Sequence, residues 1–374
     1  MTRHRILSLD GGGAWALIQV RALINLYGLS ARGHDVLAEF DLAAANSGGS
    51  LVLGGLLMDL TLEELLGLFL DQAKRRSIFA APGIWPGRYA ATGKLAGLRA
   101  ILGPWDKPLP EVGSRAGNRG RLLPHLLICA YDLPAQRGVL FRSDLSSPSA
   151  AFEPPPRRPS ASLAEAIHAS SNAPVLYFDD AARFGGGTYW DGAIAGWNCP
   201  AAIAAVEALG YGWRPGEIAL LSLGTARVDG REKPLAPPSE DMGLKLRRLG
   251  VEVGYMLRAI LKEPPNSAPL HAHIMLGGRL PTNPADPVED GPVVRMNPNP
   301  GLANADPPHA VLAALDMDAV ADQDVALIVR LSDRWIANQV PNEPVRANRL
   351  GTPEIGHGTL AGAVAAWQRL APPR

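Results

Sequence analysis

Apolar positions along the chain change their period several times, and each change marks off an element. The run Ile6-Leu7-Ser8-Leu9 predicts a short buried strand, and apolar residues at helical spacing over 14–29 predict a helix behind it. A second apolar run, 36–44, predicts another strand, followed by a largely apolar helix over 47–59. Thr61-Leu62-Glu63-Glu64 is a capping-box signature that opens a third helix, running to about residue 75. Further on, 122–132 and 138–142 read as consecutive strands, 162–171 and 200–209 as helices, and 217–223 as a buried strand. An amphipathic helix is expected over 240–261 and a last helix pair over 322–337 and 359–370. Strands alternating with helices predict an α/β fold with a mostly parallel central sheet and helices on both faces.

Between these elements the 40 glycines and 34 prolines gather into a few stretches. Residues 79–120, rich in Gly, Pro and Trp, read as an irregular cap. Residues 154–159 read as a proline-rich loop and 233–239 as a proline-rich linker, and 263–308 is dense in Pro and Asn. No internal repeat is visible. The expected organisation is one α/β domain over 1–345 with irregular insertions near 79–120 and 227–300, then a C-terminal helical extension over 346–374.

Composition narrows the partners. With 374 residues, 47% of them apolar, the chain can bury a full core. Lys+Arg and Asp+Glu are both 36, so the basic excess of a nucleic-acid binder is missing and no nucleic-acid polymer is expected as a partner. Cys129 and Cys199 stand far apart and form no metal or disulfide pattern. The first residues lead into a strand rather than a signal peptide, and the longest apolar region, 51–58, is too short to span a bilayer. These features predict a cytoplasmic protein, with peripheral membrane contact through a local apolar patch left open. They are silent on oligomeric state.

Two glycine-rich turns carry the candidate chemistry. Asp10-Gly11-Gly12-Gly13 follows the first strand, and Ala45-Asn46-Ser47-Gly48-Gly49 follows the second apolar run. The first offers consecutive N–H groups with no side chains in the way, as an oxyanion hole requires. It lacks the GxGxxG register of a dinucleotide loop and the following Lys-Ser/Thr of a phosphate loop, and a plain tight turn fits it equally. The second has small residues, Ala45 and Gly49, two before and two after Ser47, as a nucleophile elbow needs. A flexible turn with a helix cap fits it too. None of the eight histidines stands in a motif of its own. Asp191, between Tyr189-Trp190 and Gly192-Ala193, is the better candidate base, because apolar surroundings raise a carboxyl toward a useful range. A turn aspartate before glycine is its plainer reading.

Taken together, these residues resemble the patatin-like phospholipase family. The family's Asp-Gly-Gly-Gly loop, Gly-x-Ser-x-Gly elbow and Asp-Gly-Gly/Ala motif align, in order, with Asp10–Gly13, Ala45–Gly49 and Asp191-Gly192-Ala193. The stretches 166–174, 221–225, 130–133 and 294–298 also look like family segments. The resemblance implies a three-layer α/β/α fold and a lipid or acyl-ester substrate. It implies Ser47 as nucleophile, Asp191 as general base and Gly11, Gly12 and Gly13 as oxyanion donors. It implies no metal or organic cofactor, and transient contact with a membrane surface. Two positions depart from the family pattern. Trp15 stands where an arginine is usual, which leaves no obvious cation for a phosphate headgroup, and Ala45 replaces the first elbow glycine. The helix over 240–261 and the stretch 79–106 are both candidates for a lid or lipid entrance. Acyl transfer between carriers, or a regulated or non-catalytic effector role on the same fold, are the alternative functions.

Overall fold

The computed structural model describes residues 3–374 apart from 80–82, 84–87, 114–121, 149–160, 175–176, 227, 229–240, 284–285, 303–305 and 349. The proline-rich loop at 154–159 and the linker at 233–239 therefore lie outside the described residues, as do parts of 79–120. The chain begins β1 (His4–Leu9), α1 (Leu17–Tyr27), α2 (Gly33–Leu37), β2 (Leu42–Ala45) and α3 (Gly48–Leu57). Next come α4 (Leu62–Leu70), α5 (Gln72–Phe79), α6 (Ala91–Leu102), α7 (Leu109–Gly113), β3 (His125–Asp132), β4 (Arg137–Arg142) and α8 (Leu163–Ser170). After these follow β5 (Ala182–Phe184), β6 (Gly187–Asp191), α9 (Ala201–Gly210), β7 (Ile218–Leu223), α10 (Met242–Met275) and β8 (Val293–Met296). The chain closes with α11 (His309–Leu312), α12 (Asp322–Ile336), β9 (Arg346–Ala347), β10 (Pro353–Ile355) and α13 (Leu360–Leu370).

Alternation along the strands builds the three layers. In β1, Leu7 and Leu9 join one apolar cluster with α1, α3, α8, α12 and α13, while Ile6 points to the other face, against α9 and the second half of α10. Ala43 and Ala45 of β2 follow the first face, Leu42 and Ala44 the second. Both faces of the central strands are dry, which is why they read as continuous apolar runs. The sheet order is β5-β6-β3-β2-β1-β7-β8, with β4 also pairing β3. Strands β3, β2, β1, β7 and β8 run parallel, and β4, β5 and β6 are antiparallel additions. The result is a mixed, mostly parallel sheet in a three-layer α/β/α fold.

The register positions everything that follows. Ala45, Leu9, Leu223 and Met296 pair in one row across β2, β1, β7 and β8. The residues just beyond them, Asn46, Asp10, Gly224 and Asn297, therefore emerge along the same edge. Strand order departs from β1 in both directions, toward β2 and toward β7, which makes that edge the switch point where open α/β sheets hold ligands.

Three expectations change. Residues 36–44 are not one strand: α2 takes Gly33–Leu37, and the chain turns at Phe40, whose ring stacks on Trp367 of α13 at 5.9 Å, before β2 begins. The apolar run served a buried turn as well as a strand, and spacing alone does not separate them. The 79–120 stretch contains two helices, α6 and α7, the former burying Lys94, Leu98 and Leu102. The amphipathic helix at 240–261 continues to Met275 through Pro264, Pro265 and Pro269. At the C-terminus, Leu360, Ala363 and Trp367 of α13 belong to the same core cluster as β1.

Candidate active site

Ser47 leaves β2 in the left-handed region, at φ 48° and ψ −121°, and α3 starts at the next residue. A non-glycine residue held there costs about 1–3 kcal/mol, so its surroundings must enforce the turn. They do so by close approach. A Cβ on Gly49 would lie 2.4 Å from Leu9 O, and one on Gly48 would lie 2.5 Å from Gly13 O. The first turn of α3 is thus pressed onto the end of β1. The Ser47 N–H donates to Ser170 Oγ at 2.9 Å, and Ser50 Oγ donates to Ser47 O at 2.6 Å. Ala45, the small residue ahead of the elbow, is fully buried between its strand neighbours Leu9 and Ile128.

Asp191 ends β6, which pairs with β3 through Ala130, and is 2% exposed. Its Oδ1 accepts from Asn46 Nδ2 and from the Ala193 N–H, each at 2.9 Å. Burial pushes its carboxyl above the usual range. The Ala193 N–H, Ser47, Asn46 and Lys94 oppose that rise. Gly192 permits the contact with Asn46: a Cβ there would lie 2.4 Å from Asn46 Oδ1.

The glycine loop is anchored on three sides. Thr225 Oγ1 donates to Gly11 O at 2.8 Å, Gln19 Nε2 donates to Asp10 O at 2.8 Å, and Ala14 N–H donates to Met317 O at 2.9 Å. Below the loop, Asp10 Oδ2 lies 2.6 Å from Arg295 Nη2 in a pair sealed from water. Of the three glycines expected as oxyanion donors, Gly11 has its N–H engaged within the protein. Gly11 N–H already donates to Asn198 O at 2.8 Å. Gly11 serves by being small, since a Cβ there would sit 3.0 Å from the Ser47 Cβ. Among the described residues, the N–H groups of Gly12 and Gly13 meet no protein acceptor. Gly13 has φ 57° and faces Met317 O.

Ser47, Gly13 and Gly48 open onto a cleft walled by Lys94, Tyr177, Phe178 and Asp318. Leu51, Ile78 and Phe79 line this cleft and also an almost wholly apolar recess running between α3, α4 and α6. Trp15 Nε1 donates to Asp316 O at 3.2 Å. It thereby ties segment 316–318 over the loop.

The sequence brought Ser47, Asp191 and the glycine loop to attention, and the fold brings them together. Asn46, Ser170, Arg295 and Lys94 were not singled out as site residues. Asn46 could have been, since it stands beside the elbow serine. Lys94 gives no local signal.

A strained serine at the carboxyl edge of a parallel sheet, beside a glycine loop and a buried carboxylate, defines a three-layer α/β/α protein with a recessed polar site. The sequence matches the family model of patatin-like phospholipase over residues 7–205, and the chain belongs to that family of lipid acyl hydrolases. Among solved structures, VipD from Legionella pneumophila is similar at 13% identity and a TM-score of 0.39, over 89% of this chain and 67% of that one. No curated protein matches the chain. Among the described residues, no helix is long and apolar enough to cross a membrane.

Proposed function

We propose that this chain hydrolyses acyl esters of lipids with Ser47 as nucleophile and Asp191 as general base. The observation that carries the reading is Ser47, held at a strained elbow whose preceding residue Asn46 bonds a buried carboxylate, beside two N–H groups that meet no protein acceptor among the described residues. Asp191 takes the Ser47 proton as Oγ attacks the ester carbonyl. Gly12 and Gly13 N–H groups receive the oxyanion of the tetrahedral intermediate, each such donor being worth about 3 kcal/mol. Collapse expels the alcohol, which takes the proton back from Asp191. Asp191 then activates water against the acyl-Ser47 ester. The raised carboxyl suits a base that must hold and return a proton. The apolar recess behind Leu51 and Phe79 receives the acyl chain.

Contact with a membrane surface is supported by α10, where Leu249 and Met256, seven residues apart on one helix face, are 56% and 65% exposed. The test is labelling by a fluorophosphonate and turnover of short and long acyl esters, beside Ser47→Ala and Asp191→Asn. Turnover that survives in both variants overturns the assignment.

A further inference from the structure

Lys94 lines the same cleft as Ser47 yet takes no part in the steps above. It lies near the start of α6 and is 1% exposed. An ammonium carried so far from water is costly unless something nearby compensates it. Its Nζ donates to His168 O at 3.0 Å and to Ser171 Oγ at 3.2 Å, and lies 4.1 Å from the centre of the Phe178 ring. None of these partners carries a full charge.

The two acceptors explain the position. Both belong to the end of α8, where helix carbonyls without intrahelical partners concentrate negative potential. The same turn supplies Ser170, whose Oγ accepts the Ser47 N–H at 2.9 Å. It also supplies Asn172, whose carbonyl accepts the Asp191 N–H at 3.1 Å. One helix end therefore grips the backbones of both members of the proposed dyad, and Lys94 grips that helix end. Charge acts across the same gap. Burial lowers the Lys94 amine and raises the Asp191 carboxyl, and each group partly offsets the shift of the other.

We propose that Lys94 is a positioning residue for the Ser47–Asp191 pair: its ammonium fixes the end of α8, which holds the backbones of both, and sets a positive charge in the cleft onto which Ser47 opens. The proposal rests on the dyad reading above. Other groups facing the pair are accounted for. His168, driven down to about 2 by burial, stays neutral beside Lys94. Asp318 and Tyr177 stand on the cleft wall, and the buried Cys129 thiol, pushed up by burial and by Asp191, stays protonated.

The test compares Lys94→Met and Lys94→Arg with the wild type by pH profiles of kcat/KM on a neutral short-chain ester, with melting curves alongside. Removing the charge is expected to move the acid limb up by about one pH unit, a tenfold loss on that limb. KM for the neutral ester stays the same, and the arginine variant recovers most of the rate. An acid limb unmoved in Lys94→Met overturns the proposal. So does a loss confined to a raised KM on phosphatidylglycerol vesicles, which makes the lysine a headgroup anchor instead. If Lys94→Met melts far below the wild type, Lys94→Gln, which can keep the bond to His168 O without the charge, takes its place. A wild type that neither labels at Ser47 nor turns over defeats the dyad reading, and the hold of Lys94 on Asp191 is then read directly. The carboxyl carbon-13 titration of Asp191, assigned with Asp191→Asn, then decides: a midpoint raised in Lys94→Met supports the proposal, and an unmoved midpoint refutes it.

Discussion

Asp10 and Asp191 lie at the same edge of the same sheet, 1% and 2% exposed, and are held in opposite ways. Asp10 meets the Arg295 guanidinium at 2.6 Å. Among the described residues, Asp191 receives only neutral donors at contact distance, from Asn46 and Ala193, with the Lys94 charge farther off. Burial pushes both carboxyls up. For Asp10 the opposing influence is a contact ion pair, and Arg295 is held above its ordinary value in return. A carboxylate locked to a cation cannot accept a proton without stranding that cation. One held by neutral donors can. The first arrangement suits a foundation beneath the glycine loop, the second suits a proton carrier, and sequence distance separates them as clearly as chemistry does. Asp191 and its partners fall within the matched span 7–205, whereas Arg295 lies beyond it.

The largest expected effect tests the carrier. Asp191→Asn keeps an acceptor for Asn46 and Ala193 while removing the base, so kcat on a neutral ester should fall by about 10⁴-fold. Stability should move the other way. A carboxyl raised in the folded state contributes stability that is present below its unfolded pKa and lost as pH rises through the folded value. The asparagine variant should therefore melt above the wild type at neutral pH, with the gap closing in acid. A variant that melts lower at neutral pH would show Asp191 to be structural after all. The wild-type kcat/KM should also fall through a single acid limb set above the usual carboxylate range, the direction in which burial shifts Asp191. A limb at or below about 4 removes the desolvated base from the argument.

Next comes the foundation. Arg295→Met leaves Asp10 buried and unpaired, which should cost about 3–5 kcal/mol in chemical denaturation. Pairing it with Asp10→Asn should recover most of that loss, because no charge is then stranded. If Arg295→Met is as stable as Asp191→Asn, the two carboxylates are not held differently and the contrast fails.

How much of this could be read beforehand follows the same division. Strand β1, the turn at Ser47, the Thr61 cap and the Asp191-Gly192 pair were legible because each is a local pattern. The cap is present as a full capping box, with Thr61 and Glu64 bonding each other's backbones. Phe40 was misplaced within a strand, since its reason for turning inward is Trp367, far along the chain. Gly11 was grouped with its neighbours although its N–H is taken by Asn198, again a distant residue. Arg295 showed only as part of a family-like stretch. Lys94 lay in a segment read as irregular, and only the packing of α6 on α8 gives it a role. What a residue contacts within a turn was visible, and what holds that turn from across the sheet was not.

The smallest effect concerns Trp15. If Arg295 fixes the glycine loop from below, Trp15 helps fix it from above, through its Nε1 bond of 3.2 Å to Asp316 O. Phenylalanine keeps most of the buried ring and removes that single bond, so Trp15→Phe should cost about 1 kcal/mol. Segment 316–318 also contributes Asp318 to the cleft wall, where Tyr89 and Arg88 hold its carboxylate. Loosening this wall leaves Ser47, Asp191 and Arg295 in place. The variant should therefore raise KM for long-chain esters by a few-fold while kcat on short ones stays near wild type, since about 1 kcal/mol of lost positioning is roughly fivefold in binding. A fall in kcat equal to that of a loop-glycine substitution would instead make Trp15 part of the foundation, and segment 316–318 would then count with Arg295 rather than with the cleft.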